Sequence, residues 1–244
     1  MKAELPELLQ GFLTDAVLHS AVRLPKETLR RQAARMRGEK ALIDAAILSA
    51  WTTTLRYDTC GIPPRGDNQY EELVVICAKL SSELKEAKVS RLQELLHLAV
   101  PYPLLLILDD SKSVRVSALL SGDPIGQMVS VTLTASAKAF VGDLTVPQEK
   151  PDPHLMAVYN RWYCAIQAQS LHQSHPLPNL EIPYKRLDSP PISADVTSRL
   201  RIMAQAWKHA TASLNRATNP QERIALNKQR VDAAQTIRSI ISKL

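Results

Sequence analysis

A metal-dependent nuclease core needs two carboxylates around a divalent cation, with the second acid two positions before a lysine on a strand. The chain approaches that pattern once. Asp58 or Asp67 precedes the apolar run Glu72–Leu80, in which Cys77-Ala78-Lys79 supplies the lysine and the strand. A thiol stands where the second carboxylate must be, and a neutral thiol cannot replace a hard oxygen ligand of magnesium. Asp67, Glu72 and Lys79 therefore define an alternative reading, a divergent or degenerate nuclease, beside the plainer one of a solvated lysine at a strand end. His172-x-x-His175 could bring two imidazoles to one metal. Zinc needs further ligands, Cys164 two helical turns away is a poor one, and surface histidines explain the pair as well. Asp109 and Asp110 follow a buried run, where catalytic acids often sit, but Asp-Asp-Ser is also turn chemistry, and the turn reading is preferred. No G-x-S-x-G, G-x-G-x-x-G or G-x-x-x-x-G-K occurs, and no cysteine has an obvious base. No catalytic residue, metal site or cofactor is expected.

Charge gives a better lead. From Ser189 onward nine Lys/Arg face three acids, an excess of six that equals the net charge of the whole chain, +6; the first 188 residues are neutral overall. A second basic concentration runs from Arg23 to Lys40. Cations on one helical face neutralise phosphates and release counterions, which gives salt-sensitive, sequence-independent affinity. The residues singled out for nucleic-acid contact are Arg30, Arg31, Arg35 and Arg37, then Arg201, Lys208, Arg230 and Arg238. Only two phenylalanines and three tryptophans are present, and Trp207 belongs to an apolar helical seam, so stacking on single strands is less favoured than contact with a duplex backbone.

These residues need elements to hold them. With 45% hydrophobic and 22% charged residues the chain is globular. No run of about 18 apolar residues exists to span a membrane. Met1-Lys2-Ala3-Glu4 opens no signal-peptide core, and three scattered cysteines read as reduced thiols, so a cytoplasmic protein is expected. Helices are predicted over 3–19, from Pro25 to Gly38, and over 40–50, followed by a strand from Trp51 to Tyr57. Then come a central strand over 72–80, a helix over 89–98, a buried strand over 103–109, its hairpin partner over 114–120, and a half-exposed strand over 128–134. A proline-rich linker over 145–155 and a helix over 154–172 complete an α+β domain, residues 1–189, with a small mixed sheet and helices on one face.

Residues 190–244 are predicted to form an antiparallel helical hairpin. Val196, Leu200, Met203, Trp207, Ala210, Leu214 and Ala217 recur at alternating spacings of four and three, a coiled-coil-like seam. Asn219-Pro220-Gln221-Glu222 starts the second helix with a cap, a proline at the first position and an acid three residues on. Its apolar face would be Ile224, Val231, Ala234, Ile237, Ile241 and Leu244, and the short connection requires antiparallel helices.

Several segments taken in order carry a resemblance. They are Leu24-Pro25-Lys26, the stretch with Lys40, Asp44 and Trp51, the run from Ala99 through Pro101-Tyr102-Pro103 to Leu108, and Arg223-Ile224-Ala225-Leu226-Asn227. In order and spacing they resemble the bacterial family DUF4391, a domain of unknown function. This sequence departs from the resemblance over Glu72–Lys79, where relatives are more acidic. Members of that family typically lie beside helicases and DNA methyltransferases in defence or restriction-like gene clusters, and no catalytic motif is established for them. The resemblance thus implies a non-enzymatic accessory subunit of a DNA-processing or antiphage defence complex. Its partner would be a helicase or DNA methyltransferase, with double-stranded DNA as a further contact and no membrane.

Overall fold

Aliphatic and β-branched residues in short runs become strands when neighbouring runs can satisfy their backbone groups and both faces can be buried. The computed structural model describes residues 7–10, 20–33, 39–64, 71–120, 128–134, 140–141, 144, 153–174 and 194–243. Two compact units divide the chain, Met1–Ile166 and Gln167–Leu244.

In the first unit, a one-turn helix α1 (Glu7–Gln10) precedes strand β1 (Val22–Arg23), helix α2 (Lys26–Gln32) and helix α3 (Glu39–Ala46). Then follow β2 (Ile47–Leu55), a one-turn helix α4 (Tyr57–Cys60), β3 (Leu73–Leu80), α5 (Glu86–Ala99), β4 (Leu104–Asp109), β5 (Val114–Ala118) and β6 (Val129–Leu133). The six strands lie in sequence order in one mixed sheet. Only β3 and β4 are parallel, joined by α5 as crossover; the other neighbours are antiparallel. Gly61, in the left-handed region at φ 71°, closes α4 where a side chain would be strained.

Two expectations change here. The third helix stops at Ala46 and the strand begins at Ile47, four residues before Trp51. Ile47 and Ala50 fit a helical or an extended period equally well, and pairing of Ile47 with Leu80 across a bulge settles the matter in favour of the strand. The sheet is also covered on both faces, not one. Ile76, Ala78, Leu104, Leu106 and Leu108 pack with Leu29 of α2, Ile43 of α3 and Leu92, Leu95 and Leu96 of α5. Residues alternating with them, Val75, Cys77, Leu105, Ile107, Val116 and Val131, are equally buried. The helix α6 (Leu155–Ser174) buries Leu155, Val158, Tyr159 and Trp162 completely. It is pinned to this unit by the Tyr159 hydroxyl, 2.8 Å from the Leu119 carbonyl and 3.1 Å from that of Leu104, and by Trp162 Nε1 donating to Leu144 at 2.8 Å.

The second unit starts inside α6 and contains α7 (Ala194–Leu214) and α8 (Pro220–Ile241), packed side by side. The division falls at Ile166/Gln167, whereas the sequence suggested Pro190. The last turns of α6 contribute Ala168 to the cluster of Leu200, Ala234, Ile237 and Ile241, which assigns them to the hairpin. The linker 145–155 and the proline-bearing crossing 175–193 fall almost wholly outside the described residues. Asn219 caps α8 by accepting from the Gln221 N–H at 2.9 Å. Leu200, Ala210 and Ala217 of the predicted seam are buried, with Ala204 beside them, while Val196, Met203, Trp207 and Leu214 are half-buried. On α8 the contact stripe is Ala233, Ala234, Ile237 and Ile241; Ile224 and Val231 are exposed at 72% and 41%. At 3.6 residues per turn those two project well to one side of Ile237, which removes them from the seam. Among the described residues no helix is long and apolar enough to cross a membrane.

Candidate nucleic-acid interface

Arg201 and Lys208 stand seven residues apart, two turns of α7, and so share one face of that helix. On α8, Arg223, Arg230 and Arg238 follow at seven and eight residues and share a face in the same way. Arg199, Arg201, Lys208, Arg223, Lys228 and Arg238 are exposed, and Arg230 is half-buried. Among the described residues none of these forms an ion pair. Arg230 donates to Asn227 Oδ1 at 2.8 Å and Arg223 to the Ala217 carbonyl at 3.3 Å, which orients both guanidiniums without neutralising them. Glu222 in the first turn of α8 and Arg238 in its last match the helix dipole.

The N-terminal basic helix is different. Arg30 donates to Asp44 at 2.7 Å and to Glu27 at 2.8 Å, and these carboxylates, Asp44 foremost, raise its pKa further. Arg31 is exposed with no ion pair among the described residues, while Arg35 and Arg37 lie outside them. The structure thus keeps Arg201, Lys208, Arg230 and Arg238 together on one hairpin and ties Arg30 to internal acids.

The nuclease residues do not converge. Glu72 directly precedes β3 and Lys79 is its penultimate residue, so seven extended residues, about 23 Å, separate them. Lys79 is registered against Asp109 on one side and Ser49 on the other; Asp67 lies outside the described residues. Burial, then the charge of Asp109, pushes the Cys77 thiol up to about 12, so it stays protonated near neutrality. Asp109 and Asp110 are turn residues. Asp109 accepts from the Ser111 N–H at 2.8 Å, and Asp110 from the Lys112 and Ser113 N–H groups at 2.9 and 2.6 Å. Burial opposes ionisation of Asp110, but these hydrogen bonds outweigh it and hold its pKa below the usual value. Among the described residues no group of three or more His, Cys, Asp or Glu is placed to hold a metal; the His172 side chain and His175 lie outside them.

The profile of DUF4391, a domain of unknown function, matches residues 17–235. The chain belongs to this family. No curated protein and no solved structure matches it. The DUF4391 match extends from before β1 into α8, so it includes both the sheet and most of the hairpin.

One polar constellation of this DUF4391 chain escaped sequence reasoning. Glu86, Ser90, Gln93 and His97 recur along α5 at spacings of four, three and four, which sets them on one stripe. Opposite them, Arg115 and Ser117 alternate on β5. Arg115 pairs with Glu86 and donates to Ser90 Oγ at 3.1 Å and Gln93 Oε1 at 3.4 Å; its Nε has no partner among the described residues. His97 Nε2 lies 2.9 Å from Ser117 Oγ, and burial pushes its pKa down to about 4, so the ring is neutral and exchanges one hydrogen bond with the hydroxyl. The helical spacing was visible in the sequence, but polar residues at that spacing usually face water. The alternation of Arg115 and Ser117 was the complementary signal. The stripe buries a cation inside the sheet unit and presents none to a ligand.

Proposed function

We propose that this protein is a non-enzymatic accessory subunit of a DNA-processing or defence complex whose C-terminal hairpin contacts the phosphate backbone of duplex DNA. The supporting observation is that the hairpin's arginines and lysines, Arg230 apart, are exposed, and that none of them carries an ion pair among the described residues. A helical surface with nine cations and three acids sets up a positive field that draws a polyanion and displaces its condensed counterions. Trp207, half-buried in the seam, offers no free ring for base stacking, which favours a duplex over single strands. The proposed partner, a helicase or DNA methyltransferase, rests on what the resemblance to this family implies. The nuclease alternative has no comparable support, because Glu72 and Lys79 sit at opposite ends of β3.

Fluorescence anisotropy with a labelled duplex over a range of salt concentrations tests the DNA contact. Affinity should fall steeply with salt, and Arg201→Ala/Lys208→Ala/Arg238→Ala should lower the log–log slope by about 2.7, at roughly 0.9 per phosphate. No binding, or a flat salt response, overturns the DNA reading. Recovery of the neighbouring helicase or methyltransferase by the full chain, but not by a chain lacking residues 190–244, is expected for the partner contact; equal recovery counts against it.

A further inference from the structure

The hairpin's acids and most of its cations lie on opposite flanks. One flank carries two shallow depressions, each lined from both sides of the hairpin: Arg199 with Thr236 and Lys243 at one, Ile202 with Gln229 and Asp232 at the other. Asp232 thus belongs to this flank directly. Asp195 stands seven residues before Ile202, and Glu222 seven before Gln229. Seven residues are close to two helical turns, so both acids share the flank of the depressions. These three are all the acids of the hairpin.

The other flank holds cations alone. Arg201 follows Arg199 by two residues, Arg230 precedes Asp232 by two, and Arg238 follows Thr236 by two. Two residues turn a helix by about 200°, which carries each of these side chains to the opposite side. Lys208 lies seven residues after Arg201 and Arg223 seven before Arg230, so they follow their partners. None of the five lines either depression. Of the remaining cations, Lys228 stands nine residues before the seam residue Ile237 and projects straight outward, and Arg216 lies in the connection. Only Arg199 and Lys243 share the flank of the acids.

A helix with its side chains is about 10–12 Å across, more than the Debye length of about 8 Å at physiological ionic strength. Each flank therefore presents its own field. A polyanion approaching the depressions meets three carboxylates beside two cations, whereas on the other flank it meets cations and no carboxylate.

We infer that duplex DNA is held on the flank of Arg201, Lys208, Arg223, Arg230 and Arg238, with the depressions turned away from it. The inference rests on the DNA contact proposed above and adds to it a direction and a further residue, Arg223. The Arg223 guanidinium donates to the Ala217 carbonyl at 3.3 Å, and Arg230 donates to Asn227 at 2.8 Å, so both are oriented before any phosphate arrives. From Arg223 to Arg238 the helix rises about 22 Å, less than the roughly 34 Å of one DNA turn, so a single turn of duplex spans the row.

Anisotropy with a labelled duplex over a salt series tests the direction. Five phosphate contacts give a log–log slope of about −4.5. Arg223→Ala should reduce its magnitude by about 0.9, and Arg223→Lys should keep it, since the charge remains. Arg199→Ala/Lys243→Ala should leave the slope unchanged. At fixed physiological salt, Arg223→Glu should weaken binding by more than about tenfold and Arg199→Glu by less than about threefold. Circular dichroism on each variant records whether its helices are intact. Equal losses from the two flanks, or a larger loss from Arg199 and Lys243, overturn the inference while the DNA contact itself stands. A wild-type chain that binds no duplex removes both.

Discussion

Arg30, Arg56, Arg91 and Arg115 of the sheet unit each face a carboxylate, Asp44 and Glu27, Asp58, Glu39 and Glu94, and Glu86 respectively. Arg199, Arg201, Arg216, Arg223, Arg230 and Arg238 of the hairpin face none among the described residues. The same side chain serves two purposes. In the first unit, acids and bases are equal in number, and guanidiniums tie helices to one another and to the sheet. In the second, α7 and α8 carry seven cations against three acids, and the interior they share among the described residues is an aliphatic seam. Among the described residues the fold therefore offers the hairpin's cations no carboxylate partner, and we propose that their charge serves something outside.

The largest expected effect breaks this comparison from the inside, at the polar stripe of α5 and β5. His97 has a folded pKa of about 4 against an ordinary 6.5, so below pH 6.5 the unfolded chain binds a proton that the folded unit refuses. Stability is unaffected above that pH, falls as pH drops from 6.5 to about 4, and levels once the folded imidazole takes its proton. The loss amounts to about 3 kcal/mol at 1.36 kcal/mol per pKa unit. Hydrogen-exchange protection along α5 and β5, taken relative to the intrinsic exchange rate at each pH, should fall across that window, and His97→Gln should remove that part of the pH dependence. Exchange in α7 and α8 should lack this step. Equal acid sensitivity in both units would erase the distinction.

Glu86→Gln is expected to act more weakly. Removing one partner of a buried ion pair costs about 3–5 kcal/mol in general. Here Arg115 has 10% of its side chain exposed but Glu86 has 75%, so solvent already screens the pair. A loss of about 1–2 kcal/mol is expected once that screening is allowed for, read as a lower urea midpoint with an unchanged m value. No change would mean that Ser90 and Gln93 alone hold Arg115 in place.

What could be read from the sequence follows the same divide. The seam of α7 was legible because its spacing is local, and Leu200, Ala210 and Ala217 are buried as that spacing requires. On α8, Ile224 and Val231 were misread because apolar character alone does not give the angle at which a side chain leaves the helix. The start of β2 at Ile47 was hidden, since one short run satisfies two periods and only its pairing with Leu80 decides between them. The engagement of Arg30 was invisible for a similar reason: Asp44 is 14 residues away on another helix. The candidate interface was legible because net charge adds along the chain without any knowledge of packing. The stripe of Glu86, Ser90, Gln93 and His97 was not, because whether a polar face meets water or Arg115 depends on where β5 lies.

Arg201→Ala carries the smallest stability effect and tests the comparison most sharply. Its side chain is exposed and unpaired among the described residues, so truncation should change the unfolding free energy by less than about 0.5 kcal/mol. If that guanidinium meets a DNA phosphate, the same change should lower the salt slope of binding by about 1 and leave sequence preference unaltered. Chemical denaturation and anisotropy on one preparation read both quantities. A variant that loses stability while keeping its salt slope would mean that Arg201 serves the fold as Arg30 does, and the two units would no longer differ in how they use arginine. An unchanged fold with a reduced slope would establish that the cation is held in place for a ligand and contributes nothing to the packing beneath it.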